Sequence, residues 1–321
     1  MEDGLFAPNS CYERKGKIVW ANGMASRGKM MGKTTFETIE DDARGHETIA
    51  VYKTYPEAVE ITYDTKIGCS ILTLPVRRKD PAANEGGYLT DSSRFGILGN
   101  TLVPSDSLRV TPMLLDAGLR ETLRRSEQQT WIGCPADLLA LLHAMNSLRS
   151  VSDHSSHTNQ TAILITDDLD HFSPRSWAQD FPDTQHHESR YHLAHAYKAA
   201  VSIYAYHAIK ETLGQPLFPD IEVSRITDLG IFHMSQIPAS DFHIKSLVWP
   251  AFVLGAEARG LHNREQVKDI MHNIWVSSCC YNVKTATGML GKLWEWGRDN
   301  DSGKQSWLRF IWEQNESWLF L

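Results

Sequence analysis

The sequence has no apolar run approaching the roughly 20 residues needed to cross a bilayer, and its first residues join no basic start to an apolar block and a cleavage site. Both absences predict an intracellular chain with no membrane partner. Cysteine is scarce: Cys11, Cys69, Cys134, Cys279 and Cys280 are five among 321 residues, odd in number and scattered. That argues against a disulfide framework and predicts reduced thiols. The sequons Asn159-Gln-Thr161 and Asn315-Glu-Ser317 therefore read as chance matches. Two motif spacings are missing as well. Gly28-Lys-Met-Met-Gly32-Lys33-Thr34 lacks the intervening residues of a Walker loop, and His187-Glu188 meets its next histidine, His192, one position too late for a zinc protease.

What is present is an ordinary globular composition, 42% hydrophobic, enough for one large or two smaller domains. The net charge of −7 argues against global wrapping of nucleic acid, but the charge is uneven. Arg14, Lys15, Lys17, Arg27, Lys29 and Lys33 crowd the start, and Glu37, Glu40, Asp41, Asp42, Glu47, Glu57, Glu60 and Asp64 reverse the sign. Residues 1–45 read as a basic linker arm, because their recurrent glycines follow neither helical nor strand periodicity. Residues 46–110 are poorly specified. β-branched and aromatic residues at 48–55, 59–63 and 70–74 predict short strands within about 48–75, with a turn near Lys66-Ile-Gly68, and 77–107 read as loop.

From 111 to 321 the expectation is a mainly α, irregular helical domain. Thr111-Pro112 opens a helix carrying Leu115, Leu119 and Leu123. Trp131-Ile-Gly-Cys-Pro135 opens another, striped by Leu138, Leu139, Leu142, Met145 and Leu148. Residues 150–187 read as a surface loop or linker with a short apolar interlude at 162–165. The longest helix runs from Glu188 to Leu213, stopped by Gly214, and the next covers about Val223 to Gln236 with Ile226, Leu229 and Phe232 on it. His243 to Ala258 is the most distinctive stretch. It predicts a buried helix capped by Ser240 and kinked at Pro250, which releases the Ser246 carbonyl. Helices follow from Asn263, carrying Val267, Ile270, Met271 and Ile274, and from Asn282, carrying Ala286, Met289, Leu290, Leu293 and Trp294. The aromatic tail runs through Ser306–Trp312 and Trp318–Leu321.

Chemistry-bearing residues gather in one region. His187, Tyr191 and His195 share a helical face, and His192 and His195 are three apart, so two imidazoles would converge toward a metal. Set against that is the reading of solvated or locally bonded histidines, and of His233 as a core histidine. Cys134 reads as a small buried residue rather than a nucleophile. The tryptophans from Trp294 to Trp312 read as core rather than a ligand pocket.

Lys17-Ile-Val-Trp20-Ala-Asn-Gly23-Met-Ala-Ser-Arg27-Gly28-Lys-Met-Met-Gly32-Lys resembles the segment just behind the binuclear zinc cluster in the acriflavine sensitivity control branch of fungal zinc-cluster regulators. Gly133-Cys-Pro-Ala-Asp-Leu-Leu, His243-Ile-Lys-Ser-Leu-Val-Trp-Pro, Gly255-Ala-Glu-Ala and the spaced Trp275 and Trp294 extend the resemblance to the fungal-specific transcription factor domain. A binuclear cluster needs six thiolates, and only Cys11 precedes this body. The resemblance therefore implies a nuclear transcription regulator without its own zinc-cluster reader in these residues, not an enzyme, with no cofactor and no catalytic or metal-ligating residues. Homodimers, pairing with related regulators and contact with the transcription machinery are the implied partnerships, with DNA read only through an upstream zinc cluster. Arg14, Lys15, Lys17, Arg27, Lys29 and Lys33 would contact DNA backbone non-specifically. A small-molecule binder or metal-dependent enzyme on the same helices, and a fragment that pairs with full-length regulators, stay open beside this reading.

Overall fold

In the computed structural model, residues 94–314 are described, apart from 109–118, 126, 128–131, 151–155, 215–217 and 300–305. Upstream only strand backbones are described. β1 (Cys11–Arg14) pairs antiparallel with β2 (Lys17–Trp20), and β3 (Thr35–Ile39), β4 (His46–Tyr52), β5 (Ala58–Asp64) and β6 (Cys69–Thr73) pair antiparallel in chain order. The expected turn at Lys66–Gly68, the helix start at Thr111-Pro112, Trp131 and Trp318–Leu321 lie outside the described residues. From residue 94 onward the described residues are helical, without strands, so the chain is mainly α.

The helical body is built around α6 (His187–Leu213), whose 27 residues span about 40 Å. Ala194, Ala196, Ala199, Ala200, Ala205 and Ala208 lie buried on it. Small side chains let neighbours approach from several sides at once. Packed on it are α3 (Ala136–Ser150), α5 (Pro174–Gln179), α7 (Asp220–Ser235), α8 (Val248–Glu257) and α11 (Trp307–Glu313). Gly214 ends α6 in the left-handed conformation, φ 72°, and its N–H donates to the Lys210 carbonyl. Residues 94–100 (α1), α2 (Leu119–Arg125), α4 (Ser156–His171), α9 (Leu261–Ser278) and α10 (Tyr281–Asp299) complete the described helices. None is long and apolar enough to cross a membrane.

The distinctive stretch is deeply buried, but it is built differently from the sequence expectation. A 3₁₀ turn, Phe242–Leu247, precedes α8, and Asp241 rather than Ser240 caps it, accepting from the His243 N–H at 2.8 Å. Pro250 is the third residue of α8, so it sits in the first turn, where a missing N–H costs least. The Ser246 carbonyl has a donor in the Tyr197 hydroxyl of α6, 2.7 Å away. Trp249 stacks on the Tyr197 ring at 6.1 Å and donates from Nε1 to Thr101 at 2.9 Å. In the Gly255-Ala-Glu-Ala segment, the Gly255 carbonyl accepts from Trp294 Nε1, and Glu257 pairs with His207 at 2.6 Å, both buried. The stretch that carries the resemblance is thus the one tying α6, α8 and α10 together.

Two buried arginines staple the start of the body to this core. Arg94 donates to the carbonyls of Cys134 and Leu123, and Arg149 to those of Asn100 and Val103 and to the Tyr204 hydroxyl. Trp312 of α11 lies under the Arg149 guanidinium at 4.3 Å. Trp294 and Trp307 are buried, and Trp296 packs on Phe310, in keeping with a core role. Cys134 is fully buried, and burial pushes its thiol well above the usual range, as suits a packing residue.

Five helices depart from the sequence reading, the first being α1, which forms within the 77–107 read as loop. Residues 150–187 are not simply loop, because α4 and α5 form there. Ala162, Ile165 and Leu169 make a one-sided stripe that the surrounding Ser, His and Asp obscure, and the expected apolar interlude is split, with Ile163 and Leu164 facing solvent. On α7 the buried face is Val223, Thr227, Gly230, Ile231 and Met234, while Leu229 and Phe232 are exposed. On α9 the start is Leu261 behind Gly260 rather than a capping box at Asn263.

Candidate functional site: the histidine-rich junction

The first turns of α6, the end of α7 and the 3₁₀ turn before α8 bring six histidines to one end of the body. Position on α6 sets where each points. His187 turns away from its neighbours and donates from Nε2 to the Phe181 carbonyl at 2.8 Å, so the face it shares with Tyr191 and His195 does not become a ligand row. His192 and His195 do converge, and His233 of α7 joins them.

The trio is held by one ring–ring hydrogen bond and by stacking. His192 Nε2 lies 3.2 Å from Oε1 of the exposed Glu188 one turn earlier. Its Nδ1 shares a hydrogen bond with Nδ1 of His233, 2.8 Å away. His195 stacks on His233 with ring centroids 4.1 Å apart and planes 5° from parallel, and the edge of Tyr191 packs on His195 at 4.6 Å. Burial lowers His195 to about 4, helped by Lys198, His192 and Arg175. Burial likewise lowers His233 to about 4, helped by His195 and His192. Both rings are therefore neutral near pH 7. The 2.8 Å contact between His192 and His233 is a hydrogen bond, and the third ring, His195, is stacked on His233 rather than turned edge-on toward a shared point.

A second group lies beside it. His186, Asp241 and His243 each offer a ligating atom within 4.8 Å of the other two. His243 Nδ1 is 2.8 Å from Asp241 Oδ1, and His186 Nδ1 is 3.7 Å from Asp241 Oδ2. The Ser189 hydroxyl donates to Oδ2 at 2.5 Å. Burial alone would raise Asp241, but the hydrogen bonds from Ser189 and from the His243 backbone and ring hold it below the usual carboxylate range. Burial also lowers His243, against the pull of Asp241, which favours the neutral ring. Chemically this is an ionised carboxylate between two imidazoles, the donor set of a transition-metal site. Sequence reasoning named neither His186 nor His243 as a candidate ligand, because the two sit far apart along the chain. The only local signal was Asp241 immediately ahead of a marked helix.

Between Met234, Ile237, Ile244 and Ile270 lies a groove of about 190 Å³, below the 300 Å³ or so at which small-molecule sites begin. Of the basic residues assigned to DNA backbone, Arg14 and Lys17 fall opposite each other in the register of β1 and β2, and Lys15, Arg27, Lys29 and Lys33 lie outside the described residues.

The comparisons with known proteins agree on one family. The profile of the fungal specific transcription factor domain matches residues 85–320. The acriflavine sensitivity control protein acr-2 of Neurospora crassa is 27% identical over 213 residues, covering 62% of this chain and 35% of that protein. The chain thus spans about a third of the length of the curated relative it matches. No solved structure matches. With a match across most of its length, and with the residues of that resemblance tying its core together, the chain belongs to the fungal specific transcription factor domain family.

Proposed function

We propose that these residues are the helical regulatory body of a nuclear fungal transcription regulator, working by pairing, effector sensing and contact with the transcription machinery rather than by reading DNA or catalysing a reaction. The observation that carries this is the family match over 85–320, the stretch in which the described helices form one core. The chemistry of a reader argues the same way. A binuclear zinc cluster takes six thiolates; the 321 residues hold five cysteines, and Cys134 is sealed in the core. Sequence-specific DNA contact therefore comes from a zinc-cluster module outside these residues or on a paired regulator. Arg14, Lys15, Lys17, Arg27, Lys29 and Lys33 contribute charge to phosphate without base readout.

Two measurements test the reading. In a mobility-shift assay the 321-residue chain is expected to bind DNA weakly, without sequence preference, and to lose binding steeply as salt rises, with a shallower slope once the six basic residues are replaced by Ala. Tight, sequence-selective, salt-resistant binding would overturn the division of labour. Fused to an unrelated DNA-binding domain, the chain is expected to change reporter transcription several-fold in a fungal host; a fusion no different from the bare DNA-binding domain refutes a regulatory body.

A further inference from the structure

We propose that His186, Asp241 and His243 form a three-ligand site for a divalent first-row transition metal, zinc being the natural occupant, which pins the start of α6 to the turn leading into α8. The site stands on donor geometry and does not depend on the transcription reading.

Donor chemistry selects the ion. Two imidazoles and one carboxylate suit zinc, copper, nickel or cobalt, whereas magnesium and calcium favour all-oxygen shells. Geometry permits it: the donor atoms lie within 4.8 Å of one another, and bonds of about 2.0–2.1 Å in a tetrahedron would set them about 3.3 Å apart. An ion would therefore draw His186 in from 3.7 Å and part the 2.8 Å contact of His243 with Asp241, taking the place of the proton between them, shifts within reach of side-chain rotation. A carboxylate stands near the far side of His186. Its Nδ1 faces Asp241 while its Nε2 lies 3.8 Å from Asp183 Oδ2, so the same small shift that brings His186 onto an ion could close the carboxylate–histidine pairing that orients metal ligands from outside. Asp241 is likewise positioned by the Ser189 hydroxyl and the His243 backbone N–H. The nearby cation, Arg190, is directed to the Asp183 carbonyl at 2.7 Å and the Phe181 ring at 4.5 Å. Asp241 and His243 are mostly buried and His186 is about a quarter exposed, so an ion would be reached from the His186 side, beside the half-exposed Phe242. Three protein ligands leave a fourth position for water or an incoming group, which makes an exchangeable site rather than a closed structural one. Since an ion that binds only the folded chain stabilises it by mass action, occupancy would set how firmly the marker turn is held against α6.

The test uses the full chain, stripped with EDTA and titrated with zinc chloride against a chromogenic chelator, alongside melting curves with and without zinc and an absorption spectrum with cobalt. The expected result is one zinc per chain, a higher melting temperature with zinc, and cobalt bands without thiolate charge transfer. His186→Gln, on a short surface turn, is expected to weaken zinc by about tenfold or more and abolish the thermal shift, and His243→Gln to do the same. Asp183→Asn, which leaves all three ligands, is expected to weaken it several-fold. His192→Gln with His195→Gln, and Cys279→Ser with Cys280→Ser, are expected to change nothing in zinc affinity. Absence of stoichiometric zinc, wild-type affinity in His186→Gln, or loss that follows the His192 and His195 pair or the cysteine pair would each overturn the assignment.

Discussion

At the scale of single residues, the side chain that decides most is Tyr197. Proline at 250 offers no N–H to the Ser246 carbonyl, and the Tyr197 hydroxyl lies 2.7 Å from that oxygen and 2.9 Å from the Ile132 carbonyl. Burial holds the phenol well above its usual range, so it stays a donor at any physiological pH. Tyr197→Phe keeps the stacking on Trp249 and removes only the donor. It is expected to destabilise by about 1–3 kcal/mol, the range for a buried acceptor left unsatisfied, read from urea midpoints. Pro250→Ala restores a backbone N–H in the same turn, so the Tyr197→Phe cost is expected to shrink in that background; equal costs in both would show that the hydroxyl serves Ile132 instead. The sequence announced the released carbonyl of Ser246 but not its new donor, because the two lie on different helices.

At the scale of elements, close approach is the organising fact. A Cβ on Gly230 would stand 2.8 Å from Ala199 Cβ of α6 and 2.6 Å from Leu254 Cδ1 of α8. The leucine methyl can swing aside, but the alanine cannot without the helices parting. Gly230→Ala is therefore expected to cost about 1–3 kcal/mol as overpacking, whereas the same substitution at Gly288, which meets nothing within 4 Å, is expected to be neutral or slightly stabilising. The comparison is a pair of thermal melts. This contact also explains why α7 presents a face other than the one its large apolar residues suggested. Hydropathy favoured Leu229 and Phe232, yet the helix packs through its smallest residue, turning both outward. Along α3, α9 and α10 the large residues and the packing face coincide, and there the stripes Leu138–Leu148, Val267–Ile274 and Ala286–Trp294 were legible from spacing alone.

At the scale of the whole molecule, His195 and His233 make stability depend on pH. His195 and His233 sit at about 4 in the fold against an ordinary 6.5. Between those values the unfolded chain binds more protons than the folded one, so stability is complete above about pH 6.5 and falls as pH falls toward 4. Melting temperatures are expected to be flat from pH 8 to 7 and to drop toward pH 5, and His195→Gln is expected to flatten that drop. Asp241 also sits below its ordinary 3.8, but its contribution is lost only below that pH, outside the histidine window. This trio was half visible in the chain: His192 and His195 are neighbours on one helix, and His233 could be read only as a core histidine. The sequence by itself determined the helical class, most of the helix spans and the family, because periodicity, a proline in an apolar run and motif spacing are local properties of the chain. Only the tertiary structure decided which donor meets Ser246, which face α7 buries, and that His186, Asp241 and His243 share one corner. Those pairings join residues some fifty positions apart, and burial and distance, which settle a side chain's protonation and partners, exist only once the helices are packed.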